Sequence, residues 1–228
     1  MSQVAMLRNV PLFAGLSDQE LAALAGRLGK RTFAKGMIIF HKGVVGQTLY
    51  IIDSGRVRIF LLSESGQEIT VNVYGPGEVF GELALLDGLP RSAGAVTMER
   101  TVTLTLHRQD FLQLLEANPR MAKSIMEVLS ARLRYTTAYA ESLSFLDVYG
   151  RVAAKLLELA DRYGLAGQPE GIGIDLRLTQ TELATWVGAS RESVNKVLGA
   201  FRDQGLIEID GQRITILDRP GMERRILY

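Results

Sequence analysis

The stretch "LTQTELATWVGASRESVNKVLGAFRDQGLIEIDGQRITIL", Leu178–Leu217, holds two capped helix starts and a hairpin in succession. Thr179 and Glu182 form a T-x-x-E capping box, in which each side chain satisfies the other residue's free backbone N–H. The helix they open runs to Gly188. Ser190 caps a second helix after a short turn containing that glycine, which is the helix-turn-helix pattern. Beyond it, Ile207 and Ile209 face Ile214 and Ile216 across an Asp210-Gly211 turn, a strong short-range hairpin signal. A helix-turn-helix followed by a hairpin is a winged helix.

In the second of these helices Val194, Val197, Leu198 and Phe201 fall at i, i+3, i+4 and i+7, the face that packs inward. The opposite face carries Arg191, Glu192, Asn195, Lys196, Gly199 and Arg202. Such a face is either simply solvated or laid in a DNA major groove, where the first turns of the helix reach base edges. Arginine can hold guanine O6 and N7 together, and a carboxylate can accept from cytosine N4. Thr179, Ser190 and Ser193 stand where helix N-termini meet phosphates. The capped helix, glycine turn and trailing hairpin together favour DNA.

Upstream, Asp147 caps a helix "VYGRVAAKLLELADRYG" that Gly164 ends, and "AGQPEGIG" reads as a loop. Before Asp147 the pattern predicts one long helix from Pro119 to Phe145. Ala122, Met126, Leu129, Leu133, Thr136, Ala140 and Leu143 recur at steps of four and three, a heptad seam. That helix lies either on its own domain's core or in a parallel dimer. Regular spacing and the charged flanks Lys123, Glu127, Arg132 and Arg134 favour the dimer. Thr136 is the polar residue on the seam.

From about Thr32 to His107, glycines at 36, 46, 55, 66, 75 and 77 punctuate the short runs "LYIIDSG", "VRIFLLSESG", "EITVNVYGPG" and "AVTMERTVTLTL". Turns at this spacing predict a small β-barrel or jelly roll. Val102, Leu104 and Leu106 alternate onto one face. Ahead of this region "SDQELAALAGRL" is a short helix with Ser17 and Glu20 as its capping box. Within the β region "FGELALLDGLPRSAGA", Phe80–Ala95, places Glu82 and Arg91 in a mostly apolar segment. They are either an internal ion pair or the two halves of a site for something carrying hydroxyls and a negative charge.

The chain has 228 residues, net charge +1 and no cysteine. Absence of cysteine excludes a disulfide framework, a thiolate nucleophile and a cysteine-held iron–sulfur cluster. Charge does not separate along the chain, with 11 Lys/Arg against 11 Asp/Glu in residues 1–118 and 15 against 14 beyond. No apolar run approaches the roughly 18 residues that span a bilayer, and the first residues lack a signal peptide's apolar core. A cytoplasmic protein without membrane partners is expected.

Three motifs in combination, "FGELALLDGLPRSA", "RLRYTTAYAESLSFLDVYGRVA" and "LTQTELATWVGASRESVNKVL", make the chain resemble the cAMP receptor protein/FNR family of bacterial transcription regulators over essentially its whole length. It is more similar to the cAMP-binding members than to the oxygen sensors, which need cysteines. The resemblance implies an α+β fold. Residues 1–118 would form a jelly-roll (double-stranded β-helix) cyclic-nucleotide-binding domain, 119–146 a dimerisation helix and hinge, and 147–228 a winged helix-turn-helix. It implies a phosphate-binding cassette of Gly81, Glu82, Leu83, Arg91 and Ser92. There Glu82 would accept from the ribose 2′-hydroxyl, and Arg91 and Ser92 would hold the cyclic phosphate. Thr136 would touch the adenine from the same subunit and Thr137 from the partner, with Arg132 near the pocket. In the winged helix it implies base reading by Arg191 and Glu192, and by Lys196 at a matching position, with Ser190 and Ser193 on phosphates; Asn195, on the same exposed face, is a further DNA-binding candidate. Lys196 stands where the best-known member has arginine, and the two do not read guanine equivalently.

The resulting expectation is a homodimeric, cAMP-gated DNA-binding regulator of palindromic operators that contacts RNA polymerase, with cAMP as allosteric effector and no covalent cofactor. The "AGQPEGIG" segment sits where relatives touch the polymerase. The same fold answering to cGMP or a cyclic dinucleotide, or binding DNA without ligand, is the alternative. His41 and His107 are isolated and do not suggest haem or another metal. No nucleophile–base pair or Walker motif accompanies Glu82 and Arg91, so catalysis is not expected.

Overall fold

The computed structural model describes residues 3–165 and 171–226. By its internal contacts the chain divides into one compact unit ending at Arg134 and a second beginning at Tyr135.

The first unit opens with α1 (Gln3–Arg8), a 3-10 turn (Pro11–Phe13) and α2 (Asp18–Ala25). The strands β1 (Gly29–Phe33), β2 (Ile38–Phe40), β3 (Thr48–Ser54), β4 (Val57–Leu62), β5 (Glu68–Tyr74) and β6 (Val79–Phe80) follow. A short helix α3 (Leu83–Asp87) precedes β7 (Gly94–Thr97) and β8 (Thr101–His107), and α4 (Arg108–Ala117) leads into α5 (Pro119–Phe145). Two antiparallel four-stranded sheets result, ordered β1-β8-β3-β6 and β2-β7-β4-β5, which is the expected jelly roll. The Ser17–Glu20 capping box starts α2 as expected, with both reciprocal bonds formed.

"AVTMERTVTLTL" is not one strand. It breaks at Met98–Arg100, and β7 and β8 belong to different sheets. The alternation in β8 also understates its burial, because Thr101 and Thr103 are as buried as Val102, Leu104 and Leu106. The sheet that holds β3 and β8 is covered on both faces. Leu49, Ile51, Leu104 and Leu106 pack under the helices with Leu21, Phe111, Met121 and Ile125. Tyr50 and Ile52 point the other way, into a second cluster with Phe33, Val57, Tyr74 and Phe80. A period of two along β3 therefore serves two cores at once.

In α5 the buried residues are Met121 and Ile125. Met126 and Leu133 on the heptad seam are 59% and 69% exposed. Leu129 of the same seam is half-buried and packs against the first unit's core, so only part of the seam is exposed.

The second unit continues with α6 (Val148–Tyr163), β9 (Gly164–Leu165), β10 (Ile172–Ile174), α7 (Gln180–Val187) and α8 (Arg191–Asp203). It ends with β11 (Ile207–Asp210), β12 (Arg213–Ile216) and α9 (Arg219–Glu223). Asp147 caps α6 and Gly164 ends it, as expected. Of the expected "AGQPEGIG" loop, residues 166–170 lie outside the described residues, and Ile172–Ile174 form a strand. That strand joins a sheet ordered β11-β12-β10-β9, so the wing is a four-stranded sheet built on the predicted hairpin. Ile207 pairs with Ile216 and Ile209 with Ile214 as expected. Asp210 pairs with Arg213, so the two turn residues are Gly211 and Gln212, one place later than the Asp-Gly signal suggests. Gly211 has φ +60, the left-handed conformation that such a turn demands. Among the described residues no helix is long and apolar enough to cross a membrane, and no cluster of His, Cys, Asp and Glu could hold a metal.

Candidate functional site: a charged pocket and a recognition helix

Gly81 follows β6 directly and has φ +83, a left-handed conformation that suits glycine. Glu82 comes next at the start of α3, and Gly88, also left-handed, ends that helix after its single turn. The chain then returns through Pro90 to Arg91. The Arg91 N–H donates to Val44 O at 2.8 Å, and Gly43 N–H donates to Arg91 O at 2.8 Å. This backbone clasp delivers the Arg91 side chain beside Gly81.

Arg91 is 5% exposed. Its Nη1 donates to Gly81 O at 2.5 Å and its Nη2 to Thr48 O at 2.6 Å. The guanidinium lies 4.3 Å from the Phe40 ring centroid and 5.9 Å from that of Tyr50. A Cβ built on Gly46 would stand 2.5 Å from Arg91 Nε, and one on Gly81 2.5 Å from Nη1, so both glycines leave room for the guanidinium. Nε has no hydrogen-bond partner. Burial holds this group below its ordinary pKa, against the pull of Tyr50 and Glu82. Carbonyls and aromatic faces are neutral partners, so the positive charge is solvated by dipoles but not cancelled.

The Glu82–Arg91 ion pair that the sequence allowed is not the pairing found. Glu82 is 2% exposed, and its Oε1 meets Arg132 Nη1 at 2.5 Å. Arg132 Nη2 donates to Val79 O at 2.5 Å, and its guanidinium sits 4.5 Å from the centroid of Tyr74. Burial works against charge on Arg132, but Glu82, Tyr74 and Glu78 outweigh it and raise the group above its ordinary value. Burial likewise pushes the Tyr74 phenol up to about 12. Glu82 Oε2 is buried and accepts no hydrogen bond.

The site thus holds one buried cation, Arg91, one half-buried cation, Arg132, one buried carboxylate, and one free acceptor on that carboxylate. A ligand that carries one negative charge and donates from a hydroxyl would complete it. Of the expected residues, the structure brings Gly81 to Arg91, and Glu82 to Arg132. Leu83 and Ser92 are exposed beside them. Thr136 and Thr137 are exposed on α5 within the second unit. Phe40, Gly46, Thr48 and Tyr74 escaped the sequence reading. Gly46 was read there only as a punctuating glycine, and it lies in the connection between β2 and β3.

In the second unit Thr179 forms its capping box with Glu182 and Gly188 closes α7 at φ +60. The Ser190 hydroxyl accepts from Ser193 N–H at 3.1 Å and starts α8. Val194, Val197, Leu198 and Phe201 are buried, as the spacing requires. Arg191, Glu192, Asn195 and Lys196 are exposed together on the first turns. Hydrogen bonds from its own backbone N–H and from Ser190, with Arg191 nearby, hold the Glu192 carboxyl below the usual carboxylate range. Glu192 is therefore bound to its own helix start.

Residues 30–118 match the cyclic nucleotide-binding domain family, and residues 150–225 match the Crp-like helix-turn-helix domain. The chain is 36% identical over 220 residues to a CRP-like cAMP-activated global transcriptional regulator of Mycobacterium tuberculosis, covering 96% of this chain and 98% of that one. It is 37% identical over 217 residues to the cyclic AMP receptor protein of Thermus thermophilus, covering 95% and 97%. Among solved structures it resembles the c-di-GMP responsive global regulator CLP of Xanthomonas campestris, with TM-score 0.79, 27% identity and coverage of 89% and 100%. With a buried guanidinium and carboxylate in the first unit and a capped helix-turn-helix in the second, the chain belongs to the CRP/FNR family as a cyclic-nucleotide-responsive, DNA-binding transcription regulator and not an enzyme.

Proposed function

We propose that the cyclic nucleotide is cAMP and that it switches a homodimer onto a palindromic operator. The observation that carries this reading is the buried Arg91, whose partners are all neutral, beside a Glu82 with one oxygen left to accept. The cyclic phosphate is a monoanion and would supply the missing negative charge to Arg91, with Ser92, Leu83 and the Gly81 backbone around it. The ribose 2′-hydroxyl would donate to Glu82 Oε2. Arg132 carries Glu82's charge onto α5, one turn before Thr136. Thr136 would contact the adenine from its own protomer and Thr137 from the partner's side. The exposed heptad seam supports dimerisation through this helix, and the hinge at 145–147 would set the two winged domains apart by about one DNA turn, roughly 34 Å. Coupling of this kind is typically about 1–3 kcal/mol.

On DNA, Arg191, Glu192, Asn195 and Lys196 would read bases, while Thr179, Ser190 and Ser193 would hold phosphates. Contact with RNA polymerase is part of the same reading, as is a cytoplasmic location. Calorimetry with cAMP, cGMP and c-di-GMP tests the ligand. Tight binding of cAMP is expected, and preference for c-di-GMP, to which the Xanthomonas regulator responds, would redirect the reading. Operator titration with and without cAMP tests the switch, and equal affinities would sink it. Leu133→Asp is expected to leave the fold intact, since Leu133 is 69% exposed, and to dissociate the dimer in sedimentation.

A further inference from the structure

The second unit contains a cleft of about 300 Å³ between the C-terminal half of α5, the middle of α6 and the end of α7. Its volume is at the small end of ligand sites, which begin at about 300 Å³. Aromatic rings of Tyr135, Tyr139 and Trp186 form much of its wall. Two cations also line it. Lys155 is 8% exposed, with its ammonium 2.5 Å from Glu158 Oε2 and 2.9 Å from the Tyr135 hydroxyl. That ammonium lies 5.4 Å from the ring centroids of both Tyr135 and Trp186. Arg151 donates to two carbonyls, Val187 O and Leu146 O, each at 2.8 Å. Among the described residues Glu158 is the only carboxylate in the lining, against Lys155 and Arg151, which gives these side chains one net positive charge.

Tyr139 supplies the second, independent observation. Its hydroxyl is buried and has no hydrogen-bond partner. Burial first, then the neighbouring Tyr135, push the phenol up to about 12, while Arg151 pulls the other way. The group therefore keeps its proton and offers a donor next to a guanidinium. An unmet buried donor is costly, and an acceptor on a ligand would satisfy it.

We propose that this cleft is a second ligand site that takes a small aromatic monocarboxylate. The carboxylate accepts from the Tyr139 hydroxyl beside Arg151, and the ring lies against Trp186. The site is separate from the nucleotide pocket and does not depend on which nucleotide fills that pocket.

Trp186 is the single tryptophan of the chain, so its emission reports on this cleft alone. The full chain is titrated with phenylacetate, and with phenylacetamide as the neutral isostere, while fluorescence is followed. Phenylacetate is expected to give a saturable change, and the amide to bind about tenfold more weakly or worse, the loss expected for one charge-assisted bond. Tyr139→Phe removes an unpaired buried hydroxyl, so it is expected to fold and to weaken phenylacetate by about tenfold. Ala138→Leu, at an exposed lining position, is expected to fill the cleft and abolish the response. Calorimetry with cAMP on both variants should match the parent chain, which separates failure here from failure at the nucleotide pocket. The proposal is overturned by no saturable change, by equal binding of acid and amide, or by unaltered binding in the two variants.

Discussion

The proposed nucleotide pocket and the proposed recognition helix use the same residue types in opposite settings. In the pocket, Arg91 and Glu82 are 5% and 2% exposed. On α8, Arg191 and Glu192 are exposed, and Glu192 is held by the start of its own helix. A buried charge loses its water and must find partners in the fold, so it depends on distant segments. An exposed charge keeps its water and costs little until a ligand removes it. Substitutions in the pocket should therefore disturb folding and binding together, whereas those on the helix should touch binding alone.

The largest expected effect is on Glu82→Gln. It keeps the shape but leaves Arg132 without its carboxylate, and breaking such a pair costs about 3 kcal/mol. Urea unfolding without ligand measures this, and an unchanged midpoint would break the comparison. Arg91→Met comes next. Losing the guanidinium fork should weaken cAMP by about a hundredfold, near 2.7 kcal/mol, in calorimetry. Its ligand-free stability should fall less than that of Glu82→Gln, because Arg91 has no ion-pair partner to strand. Arg191→Ala sharpens the other side. Operator affinity is expected to fall by about tenfold, within the range for one base-reading arginine, while the unfolding midpoint stays within about 0.5 kcal/mol.

The smallest effect should be common to both units. Tyr74 in the first and Tyr139 in the second are each raised to about 12 by burial. An unfolded tyrosine releases its proton near pH 10. Between those values the folded chain binds more protons than the unfolded one, so stability is complete below about pH 10 and declines as pH rises toward 12. Denaturation midpoints across that window should fall, and fall less steeply in Tyr74→Phe and in Tyr139→Phe.

Most of the second unit was legible in the sequence. Its helix starts at Asp147, Thr179 and Ser190 are each decided within three or four residues, by one side chain meeting one nearby N–H. The strand β10 was missed because Gly171 and Gly173 flank and interrupt it, and its pairing with β12 lies more than forty residues away in the chain. In the first unit the turns were legible from glycine and β3, β4, β5, β7 and β8 from apolar runs, whereas β1, β2 and β6 were not read. The split of β7 from β8 into separate sheets was not, since strand composition is silent about which edge a strand joins.

The sequence alone determined the family, the order of the units, the capped recognition helix, and the presence of a carboxylate and a guanidinium in one motif. Tertiary structure decided which charge each of them meets. Glu82 lies nine positions from Arg91 and fifty from Arg132, yet it pairs with Arg132. Caps and periodicity are local, and the chain's covalent geometry enforces them. An ion pair forms wherever folding brings two opposite charges together, and that depends on how α5 packs on the β-roll core through Met121 and Ile125. Arg91 meets the carbonyls of Gly81 and Thr48 and the rings of Phe40 and Tyr50 instead, all of them brought together by the β-roll.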